Sequence, residues 1–403
     1  MTARPSPAES RLTGLVLVAM TALAALSIDI TLPSLPATQR SFDTDVATTQ
    51  LTLSVFFIGF AFGQLVVGPL SDRFGRRPIV LGGLVGFAIA SVVCALAPSI
   101  ETLIAARFLQ ALCACAGPVL GRAIVRDLYG PERAARMLAN MMTVFAFMPA
   151  AAPMIGGLID ATLGWRWSYG LIAFYGACLV LTVFWRLGET NRMLNPRALA
   201  PRHLAMNYGS LLASRTFLSY ALGNAFASGG LLAYISGSSF VMIGAFGVQP
   251  AEFGMFFGSI AIGVIIGSRV SAGMIGRRGI PATIRFGARF LVAGGLAMSA
   301  IALSGVPVPG YGAAVAIALA QICYMVGLGI VMPAGTAGAI APYPQMAGTA
   351  SALVGFAQMG SGALTGAIVA RLFDGTAVPM ALLILGCALA SASAGRLAPP
   401  RQQ

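Results

Sequence analysis

The segment GPLSDRFGRRPIV, residues 68–80, places Asp72, Arg73, Arg76 and Arg77 within six positions. On either side, residues 46–71 and 78–100 contain no acidic or basic side chain. Each flank is long enough to cross a hydrocarbon layer roughly 30 Å thick as a helix of about 20 residues. The segment therefore reads as a tight, charged turn between two membrane helices. Gly68 and Gly75 suit a sharp turn and close helix approach, and the arginines can pair with carboxylates or helix C-termini across it. Anchoring to one membrane face explains arginines, but not an aspartate and two glycines at fixed spacing. Gly68, Asp72, Arg73, Gly75, Arg76 and Arg77 are expected to form a structural and gating element.

The rest of the 403-residue chain agrees. It is 58% hydrophobic and 9% charged, with a mean hydropathy of +0.86, whereas soluble domains run near 25% charged. Alternating segments of about ten residues, the mark of a membrane β-barrel, are absent. Twelve apolar spans are expected, at about 12–35, 47–70, 79–97, 103–125, 137–160, 167–187, 213–236, 251–270, 284–304, 312–333, 347–371 and 377–395. The fold class is thus an all-α membrane protein. The first run, Leu12 to about Leu35, is too long for a signal-peptide core and is read as the first span.

All 25 basic residues are arginine, against 12 acidic ones, and the net charge is +13. With the N-terminus placed in the cytoplasm, 20 arginines fall in cytoplasmic segments and 3 (Arg40, Arg166 and Arg371) in external ones. Such a bias sets both termini in the cytoplasm and accounts for the basic charge without a nucleic-acid partner. Residues 188–203, GETNRMLNPRALAPRH, are the longest polar interval and divide the spans six and six. The expected organisation is an N-terminal bundle 1–187, a cytoplasmic linker 188–212 and a C-terminal bundle 213–403. GRRP at 75–78 recurs as GRRG at 276–279, after the second and eighth spans, as an internal repeat would require.

The pattern G-x-L-x-D-R-x-G-R-R resembles the signature loop of the major facilitator superfamily. LSIDITLPSLPA (26–37), RFLQALCACAGPVLGRAIVRDLY (107–129), APMIGGLI (152–159) and PQMAGTASALVGFAQMGSGALTGAIVA (344–370) together look like the bicyclomycin- and chloramphenicol-resistance (Bcr/CflA) family of drug:proton antiporters. The resemblance covers nearly the whole chain. It implies two six-helix bundles related by a parallel repeat and proton-coupled efflux of small amphipathic molecules. It also implies a bacterial inner-membrane location, a monomer, and no cofactor beyond the proton gradient. In the fifth-span motif many antiporters have Gly-Pro where this chain has Ala152-Pro153. Pro153, Gly156 and Gly157 remain, so a kinked, closely packed helix is expected.

Asp29 is the only acidic residue well inside a predicted span. A charge there costs about 2.5–3.5 kcal/mol on insertion scales, which marks it as a functional position. Burial penalises the charged form and a nearby cation favours it, so such a carboxylate can become a reversible proton carrier. Arg107 lies in the fourth span, three residues before Gln110 on the same face. An arginine keeps its proton and can only bias a neighbouring acid or hold an anionic group. In the family the matching arginine is associated with proton transfer. Arg122, Gln110, Asn140, Asn224, Tyr234, Gln321 and Gln358 are polar positions within spans and are the candidates for a substrate cavity. Gly362, Gly366 and Ala370 form a small-residue stripe that allows close helix packing.

Other classes fit poorly. No strand precedes a glycine cluster, so a nucleotide loop and ATP as energy source are excluded. The six cysteines lie in apolar segments without ligand spacing to His203, the single histidine, so no metal is expected and the thiols read as inert core residues. A membrane enzyme would need a catalytic constellation that the chain lacks. The alternative that stays open is an exporter or facilitator of a specific metabolite such as an amino acid, a nucleoside or a biosynthetic product.

Overall fold

The computed structural model describes residues 7–191, 194–196, 198–304 and 311–396. Arg4, Arg192, Arg197 and Arg401, counted above among the cytoplasmic arginines, lie outside the described residues. Fourteen α-helices and no strand occur among the described residues: α1 (Pro7–Asp29), α2 (Leu35–Ser41), α3 (Val46–Phe74), α4 (Arg76–Ala95), α5 (Ile100–Ala114), α6 (Ala116–Leu128), α7 (Pro131–Thr162), α8 (Arg166–Arg186), α9 (Pro201–Leu212), α10 (Arg215–Ser239), α11 (Pro250–Leu303), α12 (Tyr311–Ile340), α13 (Ala347–Leu372) and α14 (Val378–Arg396). A six-residue π turn, Phe240–Ala245, extends α10.

Eleven helical stretches among the described residues are long and apolar enough to cross a membrane. The longest, α11, has 54 residues and is broken at Gly279, where φ is 76° and ψ 170°. It is two crossings in succession, which brings the total to the twelve expected. α5 and α6 form one crossing with a break at Cys115. Leu15, Ile89, Phe174, Trp185, Leu319 and Leu364 are each more than half exposed, an outward apolar surface that only lipid would cover.

Local chemistry sets several boundaries. Asp45, Ser99 and Ser214 cap α3, α5 and α10 by accepting from the N–H of the residue three positions on. Pro131, Pro201 and Pro250 begin their helices, where a missing N–H costs nothing. One expectation is corrected here. The first span does not run to residue 35: α1 stops at Asp29 and a turn over Ile30–Ser34 leads into α2, because Pro33 has no N–H to carry the ladder onward and disfavours helix in the residue before it. Within the interval 188–212, Pro201–Leu212 forms α9.

The repeat also takes a different register. The sequence echo aligns Gly75 with Gly276, but the positive-φ glycine that opens the turn is Gly75 (φ 100°) in the first half and Gly279 in the second. Only glycine adopts such a φ without strain, so it marks the structural equivalence. Gly276 lies within the regular helix.

Across the middle of the molecule, α3 packs on α13 and α7 on α11. α13 approaches closely through its small-residue stripe: Gly362 sits on Leu232, and a Cβ on Gly366 would lie 2.8 Å from Ser236 Oγ and 3.1 Å from Ser54 Oγ.

Candidate functional site

The bundle is closed at the end that carries α2 and open at the end that carries the 68–80 turn. At the closed end α7 provides the seal. A Cβ on Gly156 would overlap the Ile30 carbonyl oxygen, and one on Gly157 would overlap the Pro250 carbonyl oxygen of α11. Gly254 of α11 meets Met154 in turn, with the peptide nitrogen 2.5 Å from a would-be Cβ. Pro153 is inside α7. The motif thus lets one helix lie against both the end of α1 and the start of α11.

Asp29, 4% exposed, is the last residue of α1, beside this seal. Among the described residues no hydrogen bond or ion pair reaches its carboxylate. Arg107 is fully buried and does not pair with it. Instead its Nη1 donates to Gln110 Oε1 (2.7 Å) and to the Ser27 carbonyl (3.1 Å), and its Nε to the Thr52 carbonyl (3.4 Å). The guanidinium lies 4.3 Å from the Phe56 ring centroid and 5.6 Å from that of Tyr169, a cation–π arrangement suited to a desolvated arginine. Nη2 has no partner. Arg107 therefore joins α1, α3, α5 and α8, and reaches the backbone of α1 two residues before Asp29.

At the opposite end the charged turn is organised by acids. Arg76 Nη1 donates to Asp72 Oδ1 (2.7 Å) and its Nε to Asp127 Oδ2 (3.1 Å), tying α4 to the ends of α3 and α6. Arg77 donates to the Phe184 carbonyl (3.0 Å) and lies over the Phe184 ring, while Arg73 is exposed against Phe74. Gly68 has open space where a Cβ would stand. Sequence reasoning missed Glu189. Its carboxylate accepts from the N–H groups of Arg76 (2.9 Å) and Arg77 (3.1 Å), capping α4 from 112 residues away, and it fills the space a Cβ on Gly75 would need. Partial burial works against its charge, but the N–H groups of Asn191, Arg76, Arg77 and Thr190 outweigh that and hold it below the usual carboxylate range. A depressed acid stabilises the folded state above its unfolded value, near 4.3, and loses that contribution as pH falls through the folded value. Glu189→Gln should therefore remove the part of the turn's stability that is lost on acidification. The check is thermal unfolding of wild type and variant at pH 7 and pH 4, with the difference larger at pH 7.

A cavity of about 540 Å3 opens at this end between the two halves. Its walls are α3 (Gln64, Gly68, Pro69, Asp72), Arg76 of α4, α6 (Val119, Leu120, Arg122, Ala123, Arg126), Leu138, Tyr208, Ile340 and the start of α13. Of the seven positions expected to line a substrate cavity, Arg122 alone lines it. Gln110 is buried between Arg107 and Ser91. Asn224 binds Thr336 (2.9 Å) and the Met332 carbonyl, joining α10 to α12. Tyr234 is buried against Phe257, Gln321 is buried, Gln358 is half-buried and Asn140 is exposed. Helical period alone does not tell a cavity wall from a helix–helix contact, which is why Gln64 and Arg126 went unnoticed. The cysteines are free; Cys178 is exposed on α8 rather than part of the core.

Comparison with known proteins accords with this architecture. Residues 17–367 match the family model described as Major Facilitator Superfamily. The chain is 30% identical over 378 residues to a bicyclomycin resistance protein homolog of Haemophilus influenzae, covering 94% of this chain and 93% of the relative. It is 32% identical over 280 residues to a chloramphenicol resistance protein of Pseudomonas aeruginosa, covering 69% and 65%. The fold superposes on a crystal structure of the nucleoside transporter NupG with a TM-score of 0.71 at 14% identity, covering 96% of this chain and 98% of that one. With its twelve crossings, its charged turn and its cavity between two halves, this chain belongs to the major facilitator superfamily of membrane transporters, a family of carriers and not of enzymes, alongside its bicyclomycin- and chloramphenicol-resistance proteins.

Proposed function

We propose that the protein exports small amphipathic molecules from the bacterial cytoplasm in exchange for protons. The observation that carries this reading is Asp29. It is a buried carboxylate without a cationic partner among the described residues, set at the closed end of the molecule while the cavity is open at the other. By the arginine bias the open end faces the cytoplasm and both termini lie there, so the state described is inward-open. The bundles 1–187 and 213–403 rock about the cavity. When the outer seal opens, Asp29 takes a proton from outside as substrate leaves; on return it releases that proton inward as new substrate binds. A ligand and a proton that favour different states exchange through one carrier. Arg107 positions α1 rather than pairing with the acid, and so passes the charge state of Asp29 to α3, α5 and α8. The protein acts as a monomer and needs only the proton gradient.

The 68–80 turn is the inner latch. In the inward-open state its ion pairs stay within the first half, and Asp72 and the first turn of α13 both line the cavity. Closure would bring Asp72 to that helix N-terminus, where a carboxylate is favoured. Asp72→Asn should slow export several-fold without changing the rank order of neutral substrates. Its effect on stability stays within about 1 kcal/mol, because Asp72 is half-exposed and Arg76 keeps Asp127. Transport rates for a panel of neutral drugs check this; a reordered panel would give the turn a different role. The overall reading is tested by expression in a pump-deficient bacterium. Drug protection that disappears on adding an uncoupler is expected, and protection insensitive to the uncoupler contradicts proton coupling.

A further inference from the structure

The walls of the open cavity carry more positive than negative charge. Four charged side chains line it: Asp72, Arg76, Arg122 and Arg126. Arg76 is already held by Asp72 and Asp127. Arg122 gives its Nε to the Pro118 carbonyl of its own helix (3.1 Å), and no acid pairs with Arg122 or Arg126 among the described residues. The two arginines are four positions apart on α6, where like charges repel. The opposite wall is the first turn of α13, including Ala347, Gly348 and Thr349. Met346 offers that turn no side-chain cap, and a helix N-terminus carries partial charge of the same sign.

The cavity also has a polar inner end. Gln64 is 7% exposed, lines the cavity and has no hydrogen-bond partner among the described residues. Its amide lies flush on the backbone of α13 at Gly355, where a Cβ would overlap it. Gln64 and Asp72 are eight residues apart on α3, which sets the amide roughly 12 Å deeper than the charged mouth. The amide is open to the cavity, so a hydrogen-bonding group of a solute can reach it, and two unpaired cations facing a helix N-terminus suit an anion. Between them the wall is apolar: Val119, Leu120, Ala123 and Leu138.

We propose that this cavity binds an amphipathic organic acid. Its carboxylate or phosphate sits between Arg122, Arg126 and the first turn of α13, its apolar body lies along α6, and a neutral hydrogen-bonding group meets Gln64. The proposal rests on the exporter reading and supplies its substrate class. An anionic lipid headgroup shares the same chemistry and is separated by the test.

Binding of dansylglycine and of its uncharged amide is measured by fluorescence, on full-length protein in nanodiscs of phosphatidylcholine and in nanodiscs with added phosphatidylglycerol. Wild type should bind the carboxylate at least ~10-fold tighter than the amide, the equivalent of one ion pair at about 1.4 kcal/mol. Arg122→Gln should erase that ratio, and Arg122→Lys should keep most of it, which shows that a folded site is being read. Gln64→Leu should weaken both probes alike and leave the ratio unchanged. An equal affinity of wild type for carboxylate and amide overturns the assignment, as does a ratio indifferent to Arg122→Gln. Carboxylate binding abolished by phosphatidylglycerol assigns the site to a lipid headgroup and overturns the solute. Uncoupler-sensitive export of neutral drugs with no carboxylate preference would defeat this proposal and leave the exporter reading standing. Carboxylate-selective binding without gradient-driven transport would do the reverse.

Discussion

Asp29→Asn is expected to reduce export driven by a pH gradient at least ~10-fold, to the background of protein-free vesicles, while the protein inserts and accumulates normally. The amide keeps the shape of the carboxyl group but cannot take or release a proton. Burying a carboxylate without a paired cation is unfavourable, so the variant loses a cost and keeps its fold. Loss of function without loss of stability separates a proton carrier from a structural aspartate. The carrier should still exchange labelled for unlabelled substrate across vesicles with no pH gradient, since rocking and binding do not require the acid. Undiminished gradient-driven export in Asp29→Asn would remove Asp29 from the coupling path; loss of counterflow as well would make it structural.

The second large effect belongs to Gly156. A methyl group there would overlap the Ile30 carbonyl oxygen, and backbone cannot swing aside as a flexible side-chain tip can. Overpacking costs typically 1–3 kcal/mol. Here the cost falls only on the state in which the outer seal is closed, because the seal is made by α7 on the end of α1 and the start of α11. Gly156→Ala should therefore bias the transporter outward-open by roughly 5- to 100-fold, if that cost is converted at 1.4 kcal/mol per factor of ten. Cysteine placed at Ser54, which is 3% exposed beside Gly366, reports it. In a background lacking the native cysteines, its labelling by an impermeant maleimide should rise several-fold in the Gly156→Ala variant, and export should fall. Unchanged labelling with normal export would mean that the seal lies elsewhere.

Much of this was legible in the chain because its causes are local. Apolar run length fixes the crossings, and Gly75 with its arginines marks the turn. Asp29 stands out because nothing else acidic lies so deep in an apolar run. The end of α1 at Asp29 was only half legible: Pro33 and Pro36 announce a loosened backbone, but not that the helix stops four residues before the first proline. The repeat register slipped by three, since Gly276 and Gly279 look alike as letters and differ only in the φ each must adopt. Glu189 was invisible because it caps α4 from 112 residues away, across a contact that only the folded bundle creates. Gln64 and Arg126 were hidden for a related reason. In a helix whose faces meet lipid, a neighbour or a cavity, polarity alone does not say which one a side chain meets.

Proton release on substrate binding bears most directly on exchange through Asp29. Purified protein in a weakly buffered solution near neutral pH, mixed with saturating substrate, should acidify the medium as the carboxyl group deprotonates. The Asp29→Asn variant should bind the same substrate and release nothing. Equal release from both proteins, or tight binding by wild type with no release, would contradict proton–substrate exchange at this residue.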